Sequence, residues 1–377
     1  MEAKKYPHKI KEFIKKEAVL CAAAVLAAGS VFIVRPDREY LEYPDWRVLA
    51  LLFCLMLVTA GLQGIGLFCY VGHRLLNGIQ DTMQLGMLLV GLCFFGSMFI
   101  TNDVALITFV PFSVMILTMA GQRKLLIPVV ALQTVAANLG SMLTPVGNPQ
   151  NLYLYTVYNL SIGTFLAYML PLAALSLLLL AAAVCLLGRE PLSVQAGEAA
   201  AAPEGKKLAA YGLLFLICLA CVLRLLPWPA MLAVLVPAVL FLDRKLFGKI
   251  DYFLLLTFVC FFLFIGNMGR IPAVSSLLRS LIEGRELPAG VALSQVISNV
   301  PAAILLSGFT EDARALLYGV NIGGLGTLIA SLASVISFRL YGGSDGARKG
   351  AYLKKFTLYN ILFLAALYAA AAALLAL

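Results

Sequence analysis

Two polar clusters interrupt long apolar runs in the first half of the sequence. One is Thr101-Asn102-Asp103, and the other lies in NLGSMLTPVGN at 138–148. Irregular backbone at membrane depth survives only against protein or a water-filled cavity, because lipid cannot satisfy free N–H and C=O groups. Polar and ionisable side chains at that depth are costly and usually mark a transport path. Together the two clusters therefore predict half of a binding site.

The second half of the sequence repeats this pattern in the same order. Asn299, at the centre of the apolar run 287–309, corresponds to Asn102. NIGGLGTLIAS at 321–331 aligns with NLGSMLTPVGN at 138–148. Upstream, GLQG at 61–64 recurs as GNMG at 266–269, and each is preceded by an aspartate, Asp45 or Asp251. Paired interrupted segments in the two halves of a membrane protein predict a transporter with its site at the repeat interface.

The candidate substrate- and ion-binding residues are those of the four interruptions. They are Thr101, Asn102, Asp103, Asn138, Gly140, Ser141, Thr144, Gly147, Asn148, Ser298, Asn299, Val300, Asn321, Gly323, Gly324 and Thr327. Carbonyl groups at the breaks could coordinate sodium, near Asn102, Asp103, Asn138, Asn299 and Asn321, while half-helix N-termini would attract an anion. The alternative is that the polar side chains only satisfy freed backbone groups and the glycines only permit the breaks and close approach of neighbouring segments.

Asp103 is the one carboxylate that the sequence places at the midplane. It could cap the helix that follows, since Asp and Asn are preferred at that position. It could also bind a cation or carry a proton, because a buried carboxylate needs a partner or a proton. The two roles can coexist. No Lys or Arg is placed at the midplane, so an anionic substrate would depend on helix N-termini, amides, hydroxyls and co-bound cations.

The composition is that of a membrane protein with many spans. Apolar residues make up 62% of the chain, charged residues 12%, and the mean hydropathy is +0.95, values that soluble domains do not reach. The net charge of +9 sits in loops between apolar segments, which indicates membrane topology and not nucleic-acid binding. The predicted fold class is an all-α polytopic membrane protein with an inverted structural repeat, two re-entrant hairpins and two broken transmembrane helices.

The segments follow from the apolar runs and their interruptions. We predict a basic N-terminus and first span at 1–44, followed by repeat 1 at 45–188, which contains a hairpin at 83–120 and a broken helix at 125–159. A linker at 189–207 and two intervening spans at 208–250 come next. Repeat 2 then occupies 251–377, with a hairpin at 287–309 and a broken helix at 314–341.

The distribution of basic residues predicts the orientation. With a cytoplasmic N-terminus and two re-entrant hairpins, every lysine falls inside and the outer side keeps only arginines, as the positive-inside rule favours. A single crossing at 287–309 would instead place the charges of 339–355 outside. Sidedness does not test the hairpin at 83–120, because two full crossings there would give the same orientation.

Four motifs resemble the ion transporter superfamily: TNDVALITFVPF, GSMLTPVGNPQNLYLY, SNVPAAILLSGF and NIGGLGTLIASLAS. That superfamily includes citrate and dicarboxylate permeases, arsenite permeases and one branch of sodium/proton antiporters. The resemblance covers roughly 45–377 and implies hairpins and broken helices in a mobile domain, with a dimeric scaffold. The dicarboxylate branch has Ser-Asn-Thr at both tips. Here the tips are Thr101-Asn102-Asp103 and Ser298-Asn299-Val300-Pro301, which is closer to the arsenite and antiporter pattern.

The sequence and the resemblance together predict an ion-coupled secondary transporter in the cell membrane, moving a small anion such as a carboxylate by an elevator-type motion. The alternative within transport is proton-coupled arsenite export or sodium/proton exchange. A channel suits two inverted hairpins less well. An enzyme would need a nucleophile–base pair or a metal cluster, and His8 and His73 lie away from the motifs. We expect no cofactor other than Na⁺ or H⁺ as the coupling ion. The expected partners are the substrate, the lipid bilayer and a second copy of this chain, and we expect no nucleic acid.

Overall fold

The computed structural model describes residues 17–76, 78–192 and 201–377. Within these residues every regular element is helical, apart from one isolated bridge between Asp81 and Pro191. Eight of the described helices are long and apolar enough to cross a membrane. The predicted basic N-terminal segment falls almost wholly, and the centre of the predicted linker entirely, outside the described residues.

The described part of the first half contains eight α-helices. They are α1 (Ala18–Ile33), α2 (Trp46–Gly64), α3 (Leu67–Leu75), α4 (Thr82–Ile100), α5 (Asn102–Met119), α6 (Leu126–Ser141), α7 (Pro149–Val157) and α8 (Ile162–Cys185). The predicted hairpin at 83–120 corresponds to α4 and α5, and the predicted broken helix at 125–159 corresponds to α6 and α7.

The second half contains nine α-helices within the described residues. They are α9 (Gly205–Val222), α10 (Trp228–Asp243), α11 (Tyr252–Gly269), α12 (Pro272–Ile282), α13 (Glu286–Ile297), α14 (Asn299–Ser307), α15 (Ala313–Gly323), α16 (Leu332–Gly342) and α17 (Lys349–Leu375). Because α9 begins at Gly205, the first intervening span starts three residues before the predicted boundary at 208. The predicted hairpin at 287–309 corresponds to α13 and α14, and the broken helix at 314–341 to α15 and α16.

Aspartate caps begin the corresponding helices α2 and α11. The Asp45 carboxylate accepts from the Val48 N–H at 3.0 Å, and Asp251 accepts from the Leu254 N–H at 2.9 Å. Each cap satisfies a donor that the first helical turn leaves free. The two aspartates that the repeat pairs in sequence therefore perform the same local task.

The two hairpins turn through residues with the same unusual backbone. Thr101 has φ 69° and ψ 152°, and Ser298 has φ 76° and ψ 155°. Positive φ is uncommon for a residue with a side chain, so both tips hold a strained conformation. The arms differ in length: α4 has 19 residues and α13 has 12, or about 28 and 18 Å.

Each broken helix packs closely against the first arm of its own hairpin. A Cβ on Gly140 would lie 2.0 Å from the Phe94 carbonyl oxygen of α4, and one on Gly323 would lie 2.7 Å from the Ser294 Oγ of α13. These glycines therefore permit helix-to-helix contact, which is the structural alternative considered for them above.

The outer helices pack on one another, and the start of the linker is bonded to the first hairpin. α1 packs along α11, while α9 and α10 pack on α2. The Arg189 guanidinium bonds the Asp81 carboxylate at 2.8 Å, and the Thr82 hydroxyl donates to the Gly188 carbonyl at 3.1 Å. The segment just after α8, at 188–189, is thus bonded to the start of α4.

Candidate functional site

One small cavity lies between the two hairpin tips. Its lining comes from both halves of the chain: Asn102, Asp103, Pro149, Gln150, Leu254, Asn299, Val300, Ser331 and Leu332. The cavity volume is about 20 Å³, which is room for roughly one water. The space between the tips is therefore nearly closed in this conformation.

Four helix N-termini converge on this tip cavity. The lining includes the first residues of α5 and α14 after the hairpin tips, and of α7 and α16 after the helix breaks. A helix N-terminus presents unpaired N–H groups and roughly half a positive charge. No Lys or Arg is among the residues that line the cavity in the described chain. The cavity is therefore suited to an anion without containing a cationic side chain.

Asp103 brings a carboxylate to the same cavity. It lies in the first turn of α5 and does not cap that helix, because Thr101 holds the cap position. The Asp103 N–H donates to the Asn102 Oδ1 at 3.0 Å, and the Asp103 Oδ1 is buried without a hydrogen-bond partner. An acceptor in that state is poised to bind a proton or a cation.

Asn138 joins the two halves beside the cavity. Its Oδ1 accepts from the Asn102 Nδ2 at 3.1 Å and from the Ser331 Oγ at 2.9 Å. Its Nδ2 donates to the Gly324 carbonyl at 3.4 Å. The side chain of one break thus contacts its own hairpin tip and the opposite break.

Asn321 makes the reciprocal contact. Its Oδ1 accepts from the Asn148 Nδ2 at 3.3 Å. In the sequence alignment of the two breaks, Asn148 corresponds to Ser331 and Asn321 to Asn138. The last residue of each break therefore donates a hydrogen bond to the asparagine that begins the other break. Both of these asparagines, Asn138 and Asn321, are buried.

Each hairpin also bonds its own break, and the accepting carbonyl groups correspond between the two repeats. The Asn102 N–H donates to the Gly147 carbonyl at 3.2 Å, and the Ser298 Oγ donates to the carbonyl of Ala330 at 3.4 Å. The Thr144 hydroxyl donates to the Met98 carbonyl at 2.5 Å. In the other half, the Thr327 hydroxyl donates to the Gln295 carbonyl at 3.3 Å.

The predicted residues separate into five groups by position. Asn102, Asp103, Asn299 and Val300 line the cavity, while Thr101 and Ser298 form the tips. Asn138, Ser141, Asn148, Asn321 and Gly324 form the buried network behind it. Thr144, Gly147 and Thr327 join break to hairpin, whereas Gly140 and Gly323 serve helix packing.

A family model described as citrate transporter matches residues 10–313. The chain belongs to the citrate transporter family. It is 32% identical over 321 residues to an inner membrane protein of Escherichia coli, YbiR, covering 82% of this chain and 84% of that protein. It is also 32% identical over 322 residues to an uncharacterized transporter of Methanocaldococcus jannaschii, covering 85% and 87%. A silicon efflux transporter of rice is 31% identical over 154 residues, covering 40% of this chain and 31% of that protein.

Membership in the citrate transporter family assigns the broad role. The protein is a multi-pass membrane transporter of this family, and the family points to transport rather than to catalysis. Its setting is accordingly the lipid bilayer, and it has a transported substrate. The eight membrane-length helices agree with that assignment.

The predicted sodium ligands fit a cation at the tip but not at the breaks. At the tip, the buried Asp103 Oδ1 has no partner. At the breaks, side-chain amides already donate to carbonyl groups that the helices leave free. Asn151 donates to the Met142 carbonyl in the first break, and Gln295 donates to the Gly323 and Leu325 carbonyls in the second. A carbonyl that accepts an amide N–H in this way has no room for a cation on the same side.

Asn151 and Gln295 were missed by the analysis of the motifs, as were Gln150 and Leu254 in the cavity wall. Asn151 ends the GNPQN sequence, so its place three residues after Asn148 is a signal that could have identified it. Gln295 follows Ser294 in an otherwise apolar stretch, three positions before the tip at Ser298. Leu254 offers no polar signal, since only the packing of α11 brings it there.

Proposed function

We propose that this citrate transporter family member is a cation-coupled secondary transporter that carries a small anion, such as a carboxylate, through the cleft between its hairpin tips. The observation that supports it most is the convergence of four helix N-termini on one cavity that also contains Asp103. Each N-terminus stabilises a partly buried anion by up to about 2 kcal/mol. The tip cavity thus offers attraction for an anion and one carboxylate for a cation or a proton.

Asp103 supplies the physical basis of coupling. An ionised carboxylate in the tip cavity repels an anionic substrate at short range, because the surroundings screen charge poorly. A proton or a cation on Asp103 removes that repulsion. The anion therefore binds well only when Asp103 is neutralised, and the two solutes cross together as a symport.

The proposal includes an inverted repeat and an elevator-type motion. The reciprocal contacts of Asn138 and Asn321 support a pseudo-twofold relation between the breaks. With 12 and 9 residues, α13 and α14 are too short to cross the hydrocarbon core, which favours a re-entrant hairpin in repeat 2. The hairpins and breaks would move against a scaffold that forms a homodimer, with the N-terminus in the cytoplasm.

Reconstitution tests the proposal directly. Purified protein in liposomes is offered labelled carboxylates, with citrate first, under an imposed sodium gradient, an imposed pH gradient or neither. We expect uptake of at least one carboxylate that a single cation gradient accelerates. Equal uptake with and without each gradient would contradict coupling. Transport of arsenite and of no carboxylate would contradict the proposal that the substrate is a carboxylate.

The second candidate is a cation-coupled exporter or exchanger. Two observations favour it: the tips carry Asn-Asp and Asn-x-Pro, and one relative is a silicon efflux transporter. In this case arsenite leaves, or sodium and protons exchange, through the same cavity with Asp103 as the proton carrier. The same liposomes loaded with arsenite, or with a pH-sensitive dye, distinguish this candidate from carboxylate uptake.

A further inference from the structure

The two helix breaks share a feature that neither motif suggests. Where a helix stops, its last carbonyl groups lose their partners, and such oxygens are the ligands that hard cations take. In both breaks of this protein, one side-chain amide bonds those oxygens. The amides come from unrelated positions in the two halves, so the repeat does not explain them.

Gln295 closes the second break from the hairpin arm α13. Its Nε2 donates to the Gly323 carbonyl at 2.8 Å and to the Leu325 carbonyl at 2.9 Å. Its Oε1 accepts from the Thr327 N–H at 2.9 Å. Reversing the amide would place oxygen against two carbonyl oxygens, so the surroundings fix its orientation. Gly326 makes room for it, since a Cβ there would lie 2.3 Å from Oε1.

Asn151 closes the first break from α7. Its Nδ2 donates to the Met142 carbonyl at 3.1 Å and lies 3.4 Å from those of Ser141 and Thr144. Its Oδ1 accepts from the Asn321 Nδ2 at 2.7 Å, which again fixes the orientation.

The repeat places no amide at the matching positions. Counting from the tips, Gln295 corresponds to Met98, and counting from the breaks, Asn151 corresponds to Ser334. The Ser334 hydroxyl is buried without a partner, so it does not take the place of an amide. Two different residues in two different elements therefore reach the same result.

We propose that Gln295 and Asn151 are built-in substitutes for cations at the two breaks. Each amide directs two partly positive N–H groups at oxygens that a monovalent cation would otherwise bridge. A cation touching both the Gly323 and Leu325 carbonyls would need the space that the Gln295 Nε2 fills. This deepens the proposed function and rests on it in one respect: the coupling cation is confined to the tip cavity.

The test measures cation binding without transport. Purified protein in detergent is unfolded by heat in sodium chloride or in choline chloride of equal ionic strength. Sodium at Asp103 would give its own response, so the variants are made in an Asp103→Asn background. We expect that background to unfold at the same temperature in both salts. Adding Gln295→Ala should lower the midpoint, and sodium should then raise it saturably by about 2 °C or more.

A matched control is Gln84→Ala in the same background. Gln84 lies in the first arm of the other hairpin, where its Oε1 accepts from the Gln80 N–H at 2.9 Å, away from both breaks. This variant should show no response to sodium. Asn151→Ser, which installs the residue of the matching position, repeats the test at the first break and covers the case in which a Gln295 variant does not fold.

Three results would overturn the proposal. One is saturable stabilisation by sodium while both amides are intact in the Asp103→Asn background. Another is a Gln295→Ala or Asn151→Ser variant that folds and gains no sodium response, since the amide then only completes backbone bonding. The third is failure of both variants to fold in either salt. If the amides substitute for cations, sodium should occupy the site that a removed amide leaves, and the variants should fold in sodium chloride. Failure of the proposed function looks different: the liposomes would show no gradient response, whatever the unfolding curves show.

Discussion

At the scale of single residues, Asp103 is the only charged side chain in the cavity wall of the described chain. Asp103→Asn replaces the carboxyl group by a neutral amide of similar size. We predict that this variant binds the anion without a cation. Uptake should continue down the anion gradient and lose its acceleration by a sodium or pH gradient. The measurement is gradient-driven uptake in liposomes, beside wild type.

Asp103→Ala is the matched comparison. Because Asp103 does not cap α5, both variants should unfold near the wild-type temperature. An Asn variant with full gradient response would remove Asp103 as the coupling residue.

Asn138 and Ser331 should act as one unit, because they share a buried bond between the two halves. Removing Asn138 leaves the Asn102 amide and the Ser331 hydroxyl without this buried partner, and each unsatisfied group costs about 1–3 kcal/mol. Removing Ser331 leaves the Asn138 Oδ1 with Asn102 alone. We predict that Asn138→Ala and Ser331→Ala each lower transport at least tenfold, and that the double variant is far from additive. A double-mutant cycle on uptake rates, with thermal midpoints, measures the coupling. Additive effects would show that the two halves act independently here.

The residues of the site were predictable where polarity interrupts an apolar run. Asn102, Asp103 and Asn299 could be identified because a charged or amide group in lipid has few structural uses. The roles within the set were not predictable in this way. Gly140 and Ser141 are adjacent in the motif, yet one packs on a neighbouring helix and the other bonds Asn148. Tertiary contact decides such roles, and sequence spacing does not contain it.

At the scale of elements, the loops after the two hairpins should face opposite sides of the membrane. We predict that Arg123→Cys in a cysteine-free background is labelled from the cytoplasm and Glu311→Cys from outside. Both positions are exposed. Gly121 is a poorer choice, because its φ of 68° disfavours a residue with a side chain. Impermeant thiol reagents on intact cells and inverted vesicles make the measurement, and labelling of both from one side would contradict the inverted repeat.

The attachment of the linker should depend on pH. The Gln84 N–H and the nearby Arg189 guanidinium hold the pKa of Asp81 below its ordinary value. A lowered folded-state pKa means that the ionised form stabilises the protein above the unfolded pKa of about 4. That stability is lost as pH falls through the folded pKa.

We therefore predict that Asp81→Asn unfolds at a lower temperature than wild type near neutral pH, and that the gap closes in acid. Thermal unfolding in detergent across a pH series measures it. Asp243→Asn, at a partly exposed cap of another loop, is the control. A gap that stays constant from neutral pH to about pH 3 would show that the ionised Asp81 carboxylate is not the cause.

Element boundaries were largely predictable because helix breaks in lipid require Gly, Pro or polar residues. The arms of the first hairpin show the limit of that reasoning. With 19 and 18 residues, α4 and α5 are each long enough to span, so length does not separate a hairpin from two crossings. The amphipathic helices α3 and α12 occupy matching places after α2 and α11, a correspondence that the apolar runs alone did not reveal.

At the scale of the whole molecule, the structure represents one position of the tips relative to the outer helices. Leu254 is the third residue of α11, yet it lines the same cavity as both tips. The tips are therefore level with one end of α11 and not with its middle. Under the proposed elevator-type motion, the contacts within the hairpins and breaks stay the same wherever the group sits along α11, so the sequence does not predict this position.

The last prediction tests whether the tips leave that position during transport. Leu254 and Leu332 line the cavity from α11 and from the start of α16. In a cysteine-free background, Leu254→Cys with Leu332→Cys should be joined by a short, reducible bifunctional thiol reagent. Joined protein should lose at least nine-tenths of its uptake, because an elevator-type cycle must separate α16 from this end of α11. Reduction should restore uptake, and each single variant should be unaffected by the reagent. Full uptake by completely joined protein would mean that these two helices travel together, and the substrate would then have to cross by movement of the tips alone.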